Sequence, residues 1–134
     1  LLKPSYTEED LLGYLGDSCV TEVYGLGGMS SIAGPAYARF TGATFAEAKE
    51  RTEKARAVSL GEHTFAPIPW DEYRGFPVGI DARKVVGYNI LPISHGGSAL
   101  KTGGQAGAGA AELPLECFRE ALRGIRDEAL RKQQ

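Results

Sequence analysis

Apolar residues keep a helical interval most clearly toward the C-terminus, where Leu115, Phe118, Leu122, Ile125 and Ala129 fall at i, i+3, i+7, i+10 and i+14. This interval is the period of one helix face, so it predicts a helix from Pro114 to about Arg131 with a single buried stripe. A second helix is predicted over about 45–60. Thr44-Phe45-Ala46-Glu47 spells a capping box at its start. Phe45, Ala48, Ala55 and Val58 lie on or near one face, and Glu47, Lys49, Glu50, Arg51 and Lys54 cover the other.

The remaining elements are shorter. Residues 7–15 read as a helix, with Thr7 as its cap, acidic Glu8, Glu9 and Asp10 at its positive end, and Leu11, Leu12 and Leu15 on one side. Residues 19–24 alternate, with β-branched Val20 and Val23, and predict a strand that ends in the glycine loop 25–28. Gly34-Pro35 predicts a helix entry, and Gly42 its close. Pro67, Pro69 and Pro77 forbid a helix over 63–77 and predict an extended segment and turn anchored by Trp70, Tyr73 and Phe76. A short strand at 78–80 leads to Asp81, which caps a helix over 82–87 ended by Gly87. Strands at 90–94 and 105–113 then flank a glycine loop at 96–104. The fold class is mixed, α/β or α+β. We expect a single compact domain over 1–134, with short strands alternating with helices and a long C-terminal amphipathic helix.

Composition narrows the function classes. A formal charge of −2 leaves no basic surplus to neutralise phosphates, so nucleic acid is not an expected partner. No run approaches the ~18 apolar residues of a membrane span, and no signal peptide opens the sequence, so no membrane partner and a cytoplasmic location are expected. Cys19 and Cys117 are too few for a disulfide framework or zinc site and are expected to be reduced, buried thiols. The 18 glycines are about twice the usual ~7% share and alternate with apolar residues, the mark of tight ligand-handling loops rather than linkers.

Candidate chemistry gathers at those glycines. His63 and His95 stand 32 positions apart with no ligand pattern around them, so no metal is expected. His95 opens a glycine loop, where it either contacts a carboxylate or phosphoryl oxygen, shifts a proton, or ties down backbone. Asp17, Ser18, Thr21 and Glu22 form either a polar cluster or a turn. Gly25-Leu26-Gly27-Gly28-Met29-Ser30-Ser31 precedes a predicted helix and reads as an anion seat or a bare tight turn; it fits neither the Walker nor the dinucleotide fingerprint. Arg83 and Lys84 sit in a first helical turn after Asp81, where the dipole disfavours cations, so they either meet an anion there or are two solvated side chains. Gln105, set among small residues up to Gly107, either reads an amide-like group or marks a close backbone approach. Lys101 is a further candidate cation. No cofactor is expected.

In order along the chain, Gly16-Asp17-Ser18 with Thr21-Glu22, the 25–28 loop, Arg39-Phe40, Ile68-Pro69-Trp70, Gly79-Ile80-Asp81 with Arg83-Lys84-Val85-Val86, Gly104-Gln105 with Gly107-Ala108-Gly109, and Pro114-Leu115 with Cys117-Phe118 and Ala121-Leu122 resemble the C-terminal portion of the YlbE/AllG-type proteins. This family is associated with oxamate carbamoyltransferase in allantoin degradation. The resemblance implies an enzyme subunit, or part of one, that moves a carbamoyl group between carbamoyl phosphate and oxamate or oxalurate. It implies a small anionic substrate held by Gly27, Gly28, Ser30, Asp81, Arg83, Lys84, His95, Lys101, Gln105 and Gly107, with no cofactor. Other subunits, or the remainder of the longer family protein, are the implied partners. Leu100 stands where the family pattern has histidine, while Lys101 keeps its lysine. The alternatives are a non-catalytic small-anion-binding or assembly module, or a fragment of a longer chain.

Overall fold

The computed structural model describes residues 5–12 and 19–133. At its centre lies helix α3 (Phe45–Val58), preceded by α1 (Cys19–Tyr24) and α2 (Pro35–Phe40). The predicted capping box is in place: Thr44 N donates to Glu47 Oε2 at 2.7 Å, and Glu47 N to Thr44 Oγ1 at 3.2 Å. Ala48, Thr52, Ala55 and Val58 are buried, whereas Phe45 is half exposed. Thr52 therefore completes the inner face in place of Phe45. Its hydroxyl accepts from Ile32 N at 3.2 Å, which offsets the cost of burying it.

Of two antiparallel hairpins, each a separate two-stranded sheet, the first packs on this helix and the second on the 3₁₀ segment Gly28–Ala33. Strands β1 (Ser59–Ile68) and β2 (Arg74–Ile80) pair from Ser59↔Ile80 to Ile68↔Arg74, with an irregularity between Glu62 and Pro67. The prolines fit because each strand of a two-stranded sheet has a free edge. Of the three predicted anchors, Trp70 donates its indole N–H to Ile32 O at 2.6 Å, and Phe76 lies partly buried beside the His63 ring. Tyr73 instead stands exposed at the turn with φ 58°. Helix α4 (Ala82–Tyr88) follows its Asp81 cap but runs past Gly87 and ends at Asn89 in the left-handed conformation, which asparagine tolerates.

Strands β3 (Ile93–Ala99) and β4 (Gln105–Glu112) form the second hairpin. Gly96 and Gly97, predicted as loop, are strand residues opposite Gly109 and Ala108. Small residues on both strands let the ladder continue, and the turn shrinks to 100–104. Helix α5 (Leu115–Arg131) forms as predicted and packs against α4. None of its residues is buried, and Ile125 is 64% exposed, so the expected buried stripe is only partly covered.

The N-terminal half departs most from expectation. Residues 19–24 form α1, not a strand: Val20 and Val23 are exposed, and the segment packs against β2 as a helix rather than pairing with it. The helix turns Glu22 inward. Of the predicted 7–15 helix, the described part is a single 3₁₀ turn over Glu8–Asp10, after which Leu11 bridges to Leu100. Cys117 is exposed rather than buried. Asp17, Ser18 and the side chain of Cys19 lie outside the described residues. Among the described residues, no helix is long and apolar enough to cross a membrane. Met29, Ile32, Val58, Ile68, Val85 and Ala106 lie in the interior, with Met29 and Ile32 from the 3₁₀ segment Gly28–Ala33 that packs on α3.

Candidate functional site

The 25–31 loop is held by a carboxylate. Glu22 accepts from Gly28 N at 2.7 Å through Oε2 and from His95 N at 3.0 Å through Oε1, joining α1, the loop and β3. Burial raises the carboxyl above its ordinary range, against the pull of the two N–H donors. Gly25, at φ 95°, turns the chain so tightly that a Cβ there would meet Pro77 O at 1.7 Å. Ser30 donates its hydroxyl to Gly25 O, and Ser31 donates to Gly28 O at 2.7 Å. Two of the amides expected to face an anion are thus engaged internally, Gly28 N by Glu22 and Ser30 N by Gly27 O at 3.0 Å.

His95 brings side-chain chemistry to this loop. Its Nε2 lies 3.4 Å from Ser31 Oγ, and its ring stands 5.3 Å from that of Tyr37 on α2. Burial, with a contribution from the Arg51 charge, lowers its proton affinity, which favours the neutral imidazole. A neutral imidazole beside a hydroxyl can take or pass a proton.

The other predicted residues divide into separate groups. Arg83 forks onto Asp81, Nε to Oδ1 at 3.0 Å and Nη2 to Oδ2 at 2.7 Å, so the anion at that helix end is supplied by the chain itself. Lys84 reaches back to Ser59 O at 2.5 Å. Asp81 N bonds Val58 O at the far end of α3 from Thr44, and the seven steps from Arg51 to Val58 rise by about 10 Å. Lys101 donates to Glu9 O at 2.5 Å at the β3–β4 turn. Gln105 donates to Gly107 O at 3.2 Å within β4. Of the second histidine, Nε2 is 2.9 Å from Tyr24 O, and the His63 ring packs by Phe65.

The Arg83 hydrogen bond holds the Asp81 carboxyl at about 2. A carboxylate with a lowered folded pKa contributes stability that is fully present above its unfolded value and lost as pH falls toward the folded one. Acid unfolding of Asp81→Asn should therefore lack a stability loss that the parent shows between about pH 4 and pH 2; identical acid limbs would contradict the pairing.

Sequence reasoning missed Arg51. It stands three residues after Ala48 and four before Ala55, on the flank of the buried face rather than on the solvent face, and this spacing was its available signal. It lines a cleft of about 500 Å³ between α3 and the β3–β4 hairpin, with Ile90, Leu91, Ile93, Ala110 and Glu112.

No protein-family model matches the chain. It is 36% identical over 123 residues to the oxamate carbamoyltransferase subunit AllG of Escherichia coli (strain K12), covering 90% of this chain and 29% of AllG. It is 36% identical over 121 residues to the uncharacterised protein YahG of the same organism, covering 89% of this chain and 26% of YahG. The chain thus spans under a third of the length of these curated relatives. A crystal structure of a conserved protein of unknown function from Enterococcus faecalis V583 superposes with a TM-score of 0.84 at 35% identity, over 93% of this chain and 30% of that one. The resemblance legible in the sequence is a relationship: this chain is related to AllG and YahG over nearly its whole length and corresponds to a portion of those longer proteins.

Proposed function

We propose that this chain is part of a carbamoyltransferase-type enzyme and contributes a seat for a small anionic substrate, oxamate or oxalurate with carbamoyl phosphate. The observation that carries the reading is the relationship to AllG together with the half-buried His95 set beside Ser31 and Tyr37. In the transfer, the oxamate amide nitrogen attacks the carbonyl carbon of carbamoyl phosphate. The C–N bond forms, the C–O bond to phosphate breaks with its electron pair, and the nitrogen sheds a proton. Such a reaction asks for positioning and for donors toward the developing oxyanion, not for a protein nucleophile. His95 is the described group suited to accept the proton.

A partner is part of this reading. Val20, Val23, Tyr24, Val78 and Gly79 line a shallow, almost wholly apolar depression, and Val20 is 83% exposed. A contiguous apolar face of this kind fits the remainder of the longer protein or another subunit.

Thermal unfolding with carbamoyl phosphate, oxamate, oxalurate and phosphate tests the small-anion reading. A ligand at ~100 times its dissociation constant stabilises by about 2.7 kcal/mol. The stabilisation should be lost in His95→Ala. No response to any of the four would remove the support for a substrate seat in this chain and favour the assembly-module alternative.

A further inference from the structure

We propose that Arg51 is the residue that grips the anionic group of a small carboxylate or phosphate ligand, in the cleft between α3 and the β3–β4 hairpin. This rests on the small-anion reading above and assigns its principal charge to a residue outside the sequence motifs.

The Nη1 atom of Arg51 is buried and has no hydrogen-bond partner. A guanidinium nitrogen removed from water and left unpaired is costly, and a carboxylate or phosphate oxygen is what its planar fork fits. The Thr44 hydrogen bonds and, less, the nearby Arg51 charge lower the Glu47 carboxyl below its ordinary range, but no cleft carboxylate is hydrogen-bonded to Arg51 Nη1. Glu47 is taken up by the Thr44 amide and hydroxyl, both at 2.7 Å, and Glu50 pairs with Lys54 at 2.6 Å. Arg56 also has a buried nitrogen without a hydrogen bond, Nε, but its other nitrogens pair with Glu53 and Asp71, and Arg74 and Arg83 are likewise engaged by carboxylates of the chain.

The opposite wall is shaped to admit a ligand. Ile93 pairs with Glu112 and His95 with Ala110, so these four side chains share one face of the hairpin. Ile93, Ala110 and Glu112 line the cleft, and His95 is the next position on that face. The small Ala110 leaves room beside it. Arg51 lies near enough to His95 for its charge to act on the imidazole. An oxyanion on Arg51 would therefore sit within the field of His95, and the Glu112 carboxylate offers an acceptor for an N–H on the same ligand.

Calorimetric titration with inorganic phosphate and with oxamate, at constant ionic strength, compares the parent chain with Arg51→Gln, Arg51→Lys and Arg83→Ala. Arg51→Gln should weaken binding at least about 30-fold, the usual loss when a buried charged partner is removed. Arg51→Lys should recover part of it, and Arg83→Ala should bind as the parent does. Parent-like affinity in Arg51→Gln overturns the assignment. If Arg83→Ala alone loses binding, the seat moves to α4 and the small-anion reading survives. No binding by the parent chain overturns both.

Should Arg51→Gln not fold, histidine NMR on the unaltered chain decides. Among the described residues, the charged and titratable groups that contact His95 or act on it are Glu22 from α1, Tyr37 from α2 and Arg51 from α3. Saturating phosphate should raise the His95 pKa and leave His63 unmoved; a response at His63 alone overturns the proposal.

Discussion

Asp71→Ala is expected to destabilise the protein by about 3 to 5 kcal/mol, the cost of leaving a buried partner charge uncompensated. Asp71 is 2% exposed, and its Oδ2 lies 2.5 Å from Nη2 of Arg56, whose side chain is 5% exposed. That guanidinium ties α3 to the β1–β2 hairpin: it also donates to Glu53 Oε1 at 2.6 Å and to Gly75 O at 3.0 Å. Arg74 extends the lattice to Glu53 and to Glu62, at 2.9 Å and 2.6 Å. Without Asp71, the cation keeps the half-exposed Glu53, the more distant Glu62 and the Gly75 carbonyl, but no buried counter-charge. The loss is a large part of the ~5–15 kcal/mol that a domain commands. Urea unfolding should show the lowered midpoint, while Arg56→Met with Asp71→Leu should recover much of it because neither charge then remains buried. Lys54→Ala, which opens an exposed i,i+4 pair, should cost no more than about 0.5 kcal/mol. An Asp71→Ala loss as small as that would show the buried pair to be dispensable.

Gly25→Ala is the second large effect, at about 3 kcal/mol or more. The positive φ of 95° disfavours any side chain, by about 1–3 kcal/mol. The new methyl would also meet Pro77 O at 1.7 Å, which backbone cannot yield to cheaply. The displacement would pass to the Glu22–Gly28–His95 bonds, so His95 should lose its protected environment in the same variant. Gly87→Ala is the contrasting substitution. Gly87 is helical and has open space where a Cβ would go, so alanine there should stabilise by roughly 0.5–1 kcal/mol through helix propensity. Melting curves for the two variants, moving in opposite directions, check both arguments.

Local chemistry made parts of the fold legible. The Thr44/Glu47 box, Pro35 at the first turn of α2, the Asp81 cap and the long α5 are each decided by neighbours within a turn of helix, and each stands where the sequence placed it. Elements decided by distant contacts were not legible. Val20 and Val23 gave residues 19–24 the look of a strand, yet the segment packs on β2 as a helix, which is favoured by what Glu22 reaches. Gly96 and Gly97 looked like loop residues until the equally small Ala108 and Gly109 lay opposite them. The candidate site shows the same division. The sequence offered Ser30, His95 and Arg83 as separate words; it could not reveal that Asp81 fills the Arg83 fork, or that Arg51 buries a guanidinium nitrogen near enough to His95 for its charge to act there.

The Glu22 clamp has a consequence for how relatives of this chain can differ in length. It grips the amide of His95, so one residue lost between Ile93 and His95 would reverse the side-chain alternation and turn the imidazole away from Ser31. At the other end of the same hairpin, Gly103 and Gly104 are exposed, with open space around them. Insertions there would lengthen an outer turn and leave the imidazole where it is. Within a single hairpin, the chain is intolerant of indels at its base and permissive at its tip.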